Sequence, residues 1–180
     1  LESHLLPQEI IQSIDDGSHG DPISILGPHI TEIKGKKKII VRVFRPDAKE
    51  VELIISHNTR HIMNRLSEGG LFEWIFLRRK KIPAYRLSIN PFQAQPYSID
   101  DPYRFQPIIE ELDLHLWGEG NHAKSYFFMG AHPKTINGVQ GSHFVVTAPA
   151  ATRVSVIGSF NQWDGRVHRM RKYHNQGLWE

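Results

Sequence analysis

Cysteine is absent from the 180 residues, so neither a disulfide framework nor a thiolate metal site is open to this chain. Long apolar runs are also missing, and none approaches the roughly 18 residues that a membrane-spanning helix needs. Charge of one sign is scarce, because the net +3 is too small to call for a polyanion. Low-complexity tracts do not occur. The first residues, Leu1-Glu2-Ser3-His4-Leu5-Leu6-Pro7, lack the basic start and apolar core of a signal peptide. A soluble, cytoplasmic protein with no membrane partner is the expectation. With 39% hydrophobic residues and a mean hydropathy of −0.40, the composition suits one or two globular domains.

Catalytic signatures are equally sparse. The 11 histidines form no His-Glu-x-x-His motif and no tight His-x-His pair, so surface or hydrogen-bonding roles are expected of most. No Gly-rich phosphate loop follows a strand candidate, and no Gly-x-Ser-x-Gly elbow occurs. Neither a cofactor nor a metal is expected. Asp100-Asp101-Pro102 sets carboxylates side by side, which suits turn or capping work rather than convergence on one substrate atom. Lys36-Lys37-Lys38 and Arg78-Arg79-Lys80-Lys81 flank strand candidates, where lysines protect edges and decorate turns. A nucleic-acid partner is therefore not expected.

What the chain does contain is a repeat. Shifted by 103 positions, Gly27 falls on Gly130, His29 on His132, Ile33 on Ile136 and Gly35 on Gly138. The same shift pairs Pro46 with Pro149, Ala48 with Ala151, Val51 with Val154 and Leu53 with Val156. Gly70-Leu71-Phe72-Glu73 then matches Gly177-Leu178-Trp179-Glu180 at a shift of 107, so the second copy is four residues longer in between. Two related units in tandem are implied. Equivalent placement of His29 and His132 beside a glycine points to a structural role in a repeated turn.

Short apolar runs broken by turn residues predict strands in both units. In the first they cover 39–44, 51–55, 71–77 and 84–89; in the second, 143–147, 153–157 and the segment from Leu178. Antiparallel sandwiches follow from that spacing. Leu6, Ile10 and Ile14 predict a helix that Gly17 stops. A second helix is expected over Pro107–Trp117, with Ile109, Leu112 and Leu116 on one face. The expected organisation is a helical segment over 1–18, a first β-sandwich over 19–105, a connector helix over 106–118 and a second β-sandwich over 119–180. The second unit reads as truncated and the less stable of the two, because the first supplies further strands past the matching position.

The four extra residues fall in Gly158-Ser159-Phe160-Asn161-Gln162-Trp163-Asp164-Gly165. Phe160 reads as a core residue. Trp163 stands among Asn161, Gln162 and Asp164, and an indole flanked by amides and a carboxylate suits a sugar ring's C–H face and hydroxyls. Trp163 and Asn161 are the candidate carbohydrate-binding residues, with an interface or core role for Trp163 as the alternative. Trp74 and Trp179 read as core.

Several segments together are similar to the amino-terminal part of bacterial 1,4-α-glucan (glycogen) branching enzymes. They are His19-Gly20-Asp21-Pro22, Leu26-Gly27-Pro28-His29, Asp101-Pro102-Tyr103-Arg104-Phe105 and Gly118-Glu119-Gly120-Asn121-His122. Met129-Gly130-Ala131-His132 and Val156–Arg166 with His168-x-Met170 complete the set. The resemblance implies two immunoglobulin-like modules of the carbohydrate-binding module family 48 type, preceding a catalytic barrel. In that family the barrel cuts an α-1,4-glucan and transfers the piece to a 6-hydroxyl, using a carboxylate nucleophile and a carboxylic acid. A barrel takes about 250 residues, so this chain is expected to carry no catalytic residue and to be inactive alone. Its implied partners are α-glucan or glycogen, weakly bound, and the parent's barrel, on which a purely structural role would rest. Departures from the family are Thr147 for its usual Trp and Ala150 for its usual Asn. The first unit has Ser56-His57-Asn58-Thr59-Arg60 in place of the loop, so no similar glucan site is expected there. A second aromatic platform would come from a hairpin beyond Glu180.

Overall fold

The computed structural model describes residues 6–180; the expected helical segment's first five residues lie outside them. Helix α1 (Gln8–Asp15) leads into β1 (Gly27–Ile33), β2 (Lys36–Phe44), β3 (Ala48–Ser56), β4 (Thr59–Ile62), β5 (Asn64–Arg65), β6 (Leu71–Phe76), β7 (Arg86–Pro91) and β8 (Tyr97–Ile99). Past Phe105, where the chain divides into two units, come α2 (Glu111–Gly118), β9 (Gly130–Ile136), β10 (Val139–Thr147), β11 (Lys172–Tyr173) and β12 (Leu178–Trp179). The protein is mainly β.

The first unit is two antiparallel sheets, ordered β1-β2-β6-β5 and β4-β3-β7-β8. Alternate residues of facing strands meet between them: Ile39, Val41 and Val43 of β2 and Phe72 and Phe76 of β6 against Val51 and Leu53 of β3 and Leu87 and Ile89 of β7. Each such aliphatic side chain contributes about 1.5–3 kcal/mol by leaving water. The other face of β2 and β6 offers Phe44 and Leu71 to Ile11 and Ile14 of α1. Ile11 thus takes the place expected of Ile10, and Gly17, at φ 75°, ends the turn that follows the helix. Asp101 caps the turn at Pro102–Arg104, accepting from Tyr103 N at 3.0 Å.

The second unit repeats the first's opening. Lys34-Gly35 and Asn137-Gly138 both take left-handed backbone, φ 51° and 72° against 52° and 79°, the conformation that two-residue hairpin turns require. They join β1 to β2 and β9 to β10 in matching registers. His29 Nε2 bonds Leu26 O at 2.9 Å, and His132 Nε2 bonds Met129 O at 2.8 Å. Both histidines therefore brace the repeated turn. Farther on, Arg45 N donates to Gly70 O and Ala148 N to Gly177 O, at 2.8 and 2.9 Å.

Beyond that point the units part. Only one sheet, β11-β12-β10-β9, forms in the second unit among the described residues. The strand expected over 153–157 is reduced to a single bridge, Ser155 to Arg169. Its counterpart β3 is paired on both sides, by β4 and β7; here residues 154–156 bond the returning chain through Val156 N to His168 O and Met170 N to Val154 O. The second helix starts at Glu111, and its Leu114 and Trp117 pack on Val145, Leu178 and Phe128. Leu112, expected on that face, is exposed. Ile109 is buried ahead of the helix, because Glu180 Oε1 accepts from the amides of Ile108 and Ile109 at 2.7 and 3.2 Å. The same carboxylate accepts from His143 Nε2 at 2.8 Å and Tyr173 Oη at 2.6 Å, with Arg171 Nη1 at 3.3 Å. Trp179 is buried and donates to Ala148 O at 2.9 Å.

Candidate functional site

The loop that lengthens the second unit is folded inside out relative to expectation. Gly158 opens a single 3₁₀ turn, Ser159–Asn161, and the side chain that turns inward is Asn161, at 5% exposure. Its Oδ1 accepts from Gly158 N at 2.9 Å; its Nδ2 reaches Val156 O and His168 Nδ1, each at 2.9 Å. Both amide hydrogens are thereby spent within the loop. The Asn161 amide, a candidate sugar-binding group, pins the loop's base, and these bonds offset the cost of burying it. Phe160, expected in the core, is 61% exposed. Its ring stands edge-on to His168 at 5.5 Å, and a Cβ on Gly158 would fall 2.4 Å from it.

Trp163 is the most exposed large apolar residue of the loop, at 68%. Gln162 and Trp163 follow one another at φ 54° and 61°, a conformation that bulky residues rarely accept. It is held by Trp163 N to Gly158 O at 2.9 Å and Asp164 N to Asn161 O at 3.0 Å. Following Trp163 in sequence, Asp164 accepts from Arg166 Nε at 3.0 Å and Nη2 at 2.7 Å. These hydrogen bonds hold the Asp164 carboxyl below its usual range. The arrangement presents an exposed indole on a braced backbone, next in sequence to an ordered carboxylate. Such an indole can stack on an apolar surface.

His168 and Arg166 escaped the sequence reading as parts of this site. The Asp-x-Arg spacing was the available signal for the ion pair; His168 had none, because its role depends on where Asn161 turns. Among the described residues no group of three or more His, Asp or Glu side chains is gathered as a metal ion would require. No helix there is long and apolar enough to cross a membrane.

The exposed indole and its braced loop belong to the second unit, and the class of that unit follows from the family it matches. Residues 128–180 match the family described as carbohydrate-binding module 48 (isoamylase N-terminal domain). Residues 7–103 match the N-terminal domain of alpha-1,4-glucan branching enzyme GlgB, and the chain belongs to that family. It is similar to 1,4-alpha-glucan branching enzymes GlgB of Roseobacter denitrificans, 44% identical over 97% of this chain and 24% of the relative, and of Paramagnetospirillum magneticum, 41% over 93% and 22%. That of Rhodospirillum rubrum is 42% identical over 96% and 24%. The chain thus spans about a quarter of the length of these relatives.

Proposed function

We propose that this chain is the part of a cytoplasmic glycogen branching enzyme that holds α-glucan while a catalytic barrel elsewhere in the parent forms α-1,6 branches. The observation that carries the reading is Trp163, two-thirds exposed on a loop whose backbone is fixed before any ligand arrives. A pre-set backbone leaves only the side chain to be ordered on stacking, which favours even a weak contact. Branching itself needs two carboxyl groups across a glycosidic bond, and this chain acts only by positioning. Both units are read as immunoglobulin-like. Retardation in native gels containing glycogen tests the proposal. Trp163→Ala is expected to cut retardation about tenfold with unfolding unchanged; full retention in a folded variant overturns it.

A second reading has its own support. Phe160 and Ile157 are exposed close to Trp163 in sequence, at 61% and 49%, and three such side chains suit burial against the parent's barrel. In that case Trp163→Ala in the full-length parent lowers its thermal stability and leaves glycogen retention intact.

A further inference from the structure

The first unit carries a second exposed aromatic pair, at the hairpin between β7 and β8. Phe92, at its start, is 58% exposed, and Tyr97, at its end, 38%. Gln93, Ala94, Gln95 and Pro96 between them are exposed. Both aromatics are tied to one residue: Phe92 N donates to Asp47 O at 3.1 Å, and Tyr97 Oη donates to Asp47 Oδ2 at 3.2 Å. Each has a guanidinium near its ring, Arg65 at 5.5 Å from the centre of Phe92 and Arg45 at 5.8 Å from that of Tyr97. Neither guanidinium is loose. Arg65 donates to the carbonyls of Ser67, Ala48 and Glu68 at 3.0, 3.3 and 2.9 Å. Arg45, buried, grips Asp47 through Nε at 3.0 Å and Nη2 at 2.8 Å and also meets Tyr97 Oη.

Trp163 offers a partial parallel: an exposed indole one residue before an Asp–Arg pair, the pair two residues apart in sequence and bonded through Nε and Nη2. It is not inherited from the repeat, because Ala148 and Ala150 stand where Arg45 and Asp47 would map. Arg45 is neutralised by Asp47, and Arg65 spends its donors on three backbone carbonyls, so both guanidinium groups are already engaged and the patch suits hydroxyl groups and C–H faces better than a phosphate. Two fixed rings with amides between them offer stacking faces and hydroxyl partners in one place. We infer that the Phe92–Tyr97 hairpin is a second binding surface for a neutral glucan chain. The inference rests on the reading that the parent engages α-glucan, and it departs from the expectation that the first unit has no glucan site.

The test compares the 180-residue chain with Trp163→Ala, Phe92→Ala/Tyr97→Ala and the triple variant on native gels with and without glycogen. Since two weak contacts on one polymer reinforce each other, the double variant is expected to lose about three- to tenfold in retardation, and the triple variant all of it. Phe92→Ala alone, which leaves the Tyr97–Asp47–Arg45 bonds intact, is expected to lose at least twofold and guards against misfolding of the double variant. Loss with Trp163→Ala but none with either Phe92 variant overturns this inference and leaves the Trp163 reading standing. Loss with the Phe92 variants alone supports it and removes the Trp163 reading; no loss with any variant removes both. A change in self-association on size exclusion with unchanged retardation makes the hairpin a protein contact and overturns the inference.

Discussion

Glu73 and Glu180 occupy the same place in the two units, and their surroundings push them in opposite directions. Glu73 pairs with Arg42 across β2 and β6 at 2.8 Å, yet burial outweighs that pair and raises its carboxyl above the usual range. Glu180 is also raised by burial, but donors from His143, Tyr173 and the Ile108 amide outweigh it and hold the group at about 2. The first unit has two sheets closed around an apolar core and can spare its glutamate. The second has one sheet among the described residues, and a single carboxylate ties β10 and β11 to the segment ahead of α2. Repetition of sequence thus preserved the strand position without preserving its energetics.

If the second unit depends so heavily on few contacts, removing Trp179 is the sharpest test. Trp179→Ala is expected to cost about 3–5 kcal/mol. Hydrogen exchange should then show protection lost at Val145 and Val146 but kept at Val41 and Val51. Equal loss in both places would mean that the two units unfold as one, and the contrast drawn above would fail.

The matched glycines probe the shared part. A Cβ at Gly70 would lie 2.6 Å from Arg45 O, and one at Gly177 2.7 Å from Pro149 Cβ, with φ of 104° and 64°. Alanine at either site is expected to cost on the order of 1–3 kcal/mol through backbone strain. Gly70→Ala should cost more, because its obstacle is backbone. Urea midpoints of the single variants give the comparison, and a harmless Gly70→Ala would break the equivalence.

Acid should separate the units by sign. Asp101 in the first unit, wholly buried, is pushed up to about 6 from 3.8 by that burial. Its native form holds a proton that the unfolded chain releases, so its contribution improves as pH falls from 6 to 3.8 and is then flat. Glu180 moves the other way: its native form stays ionised below 4.5, so its contribution is full above that value and is lost as pH falls toward 2. Exchange rates measured between pH 6 and 3 should show the second unit opening first, and Glu180→Gln should flatten its acid limb. The smallest expected effect is on folding at Trp163, where Ala should change stability by no more than about 0.5 kcal/mol.

Much of this architecture was legible in the chain. The 103-position register aligned the glycines of both β1–β2-type turns and the two bracing histidines, and the structural role expected of those histidines is what the bonds to Leu26 O and Met129 O give them. β1 and β9 were not read as strands: Pro28, His29, Glu32, Pro133 and Lys134 interrupt any apolar pattern in what prove to be solvent-washed edges. The loop was read in the right place and with the wrong facing. Composition alone favours Phe160 inside and Asn161 outside, and the reversal follows from three hydrogen bonds that only the folded turn supplies. Leu112 was misplaced for a related reason, since the helix starts late and rotates its apolar side toward Leu114 and Trp117.

The Glu180 carboxylate has a mechanical consequence as well. It grips the amides ahead of α2 at the same time as groups on β10 and β11. Tension applied to the chain before Ile108 would reach the sheet as shear across several bonds loaded together, instead of peeling the connector away one residue at a time.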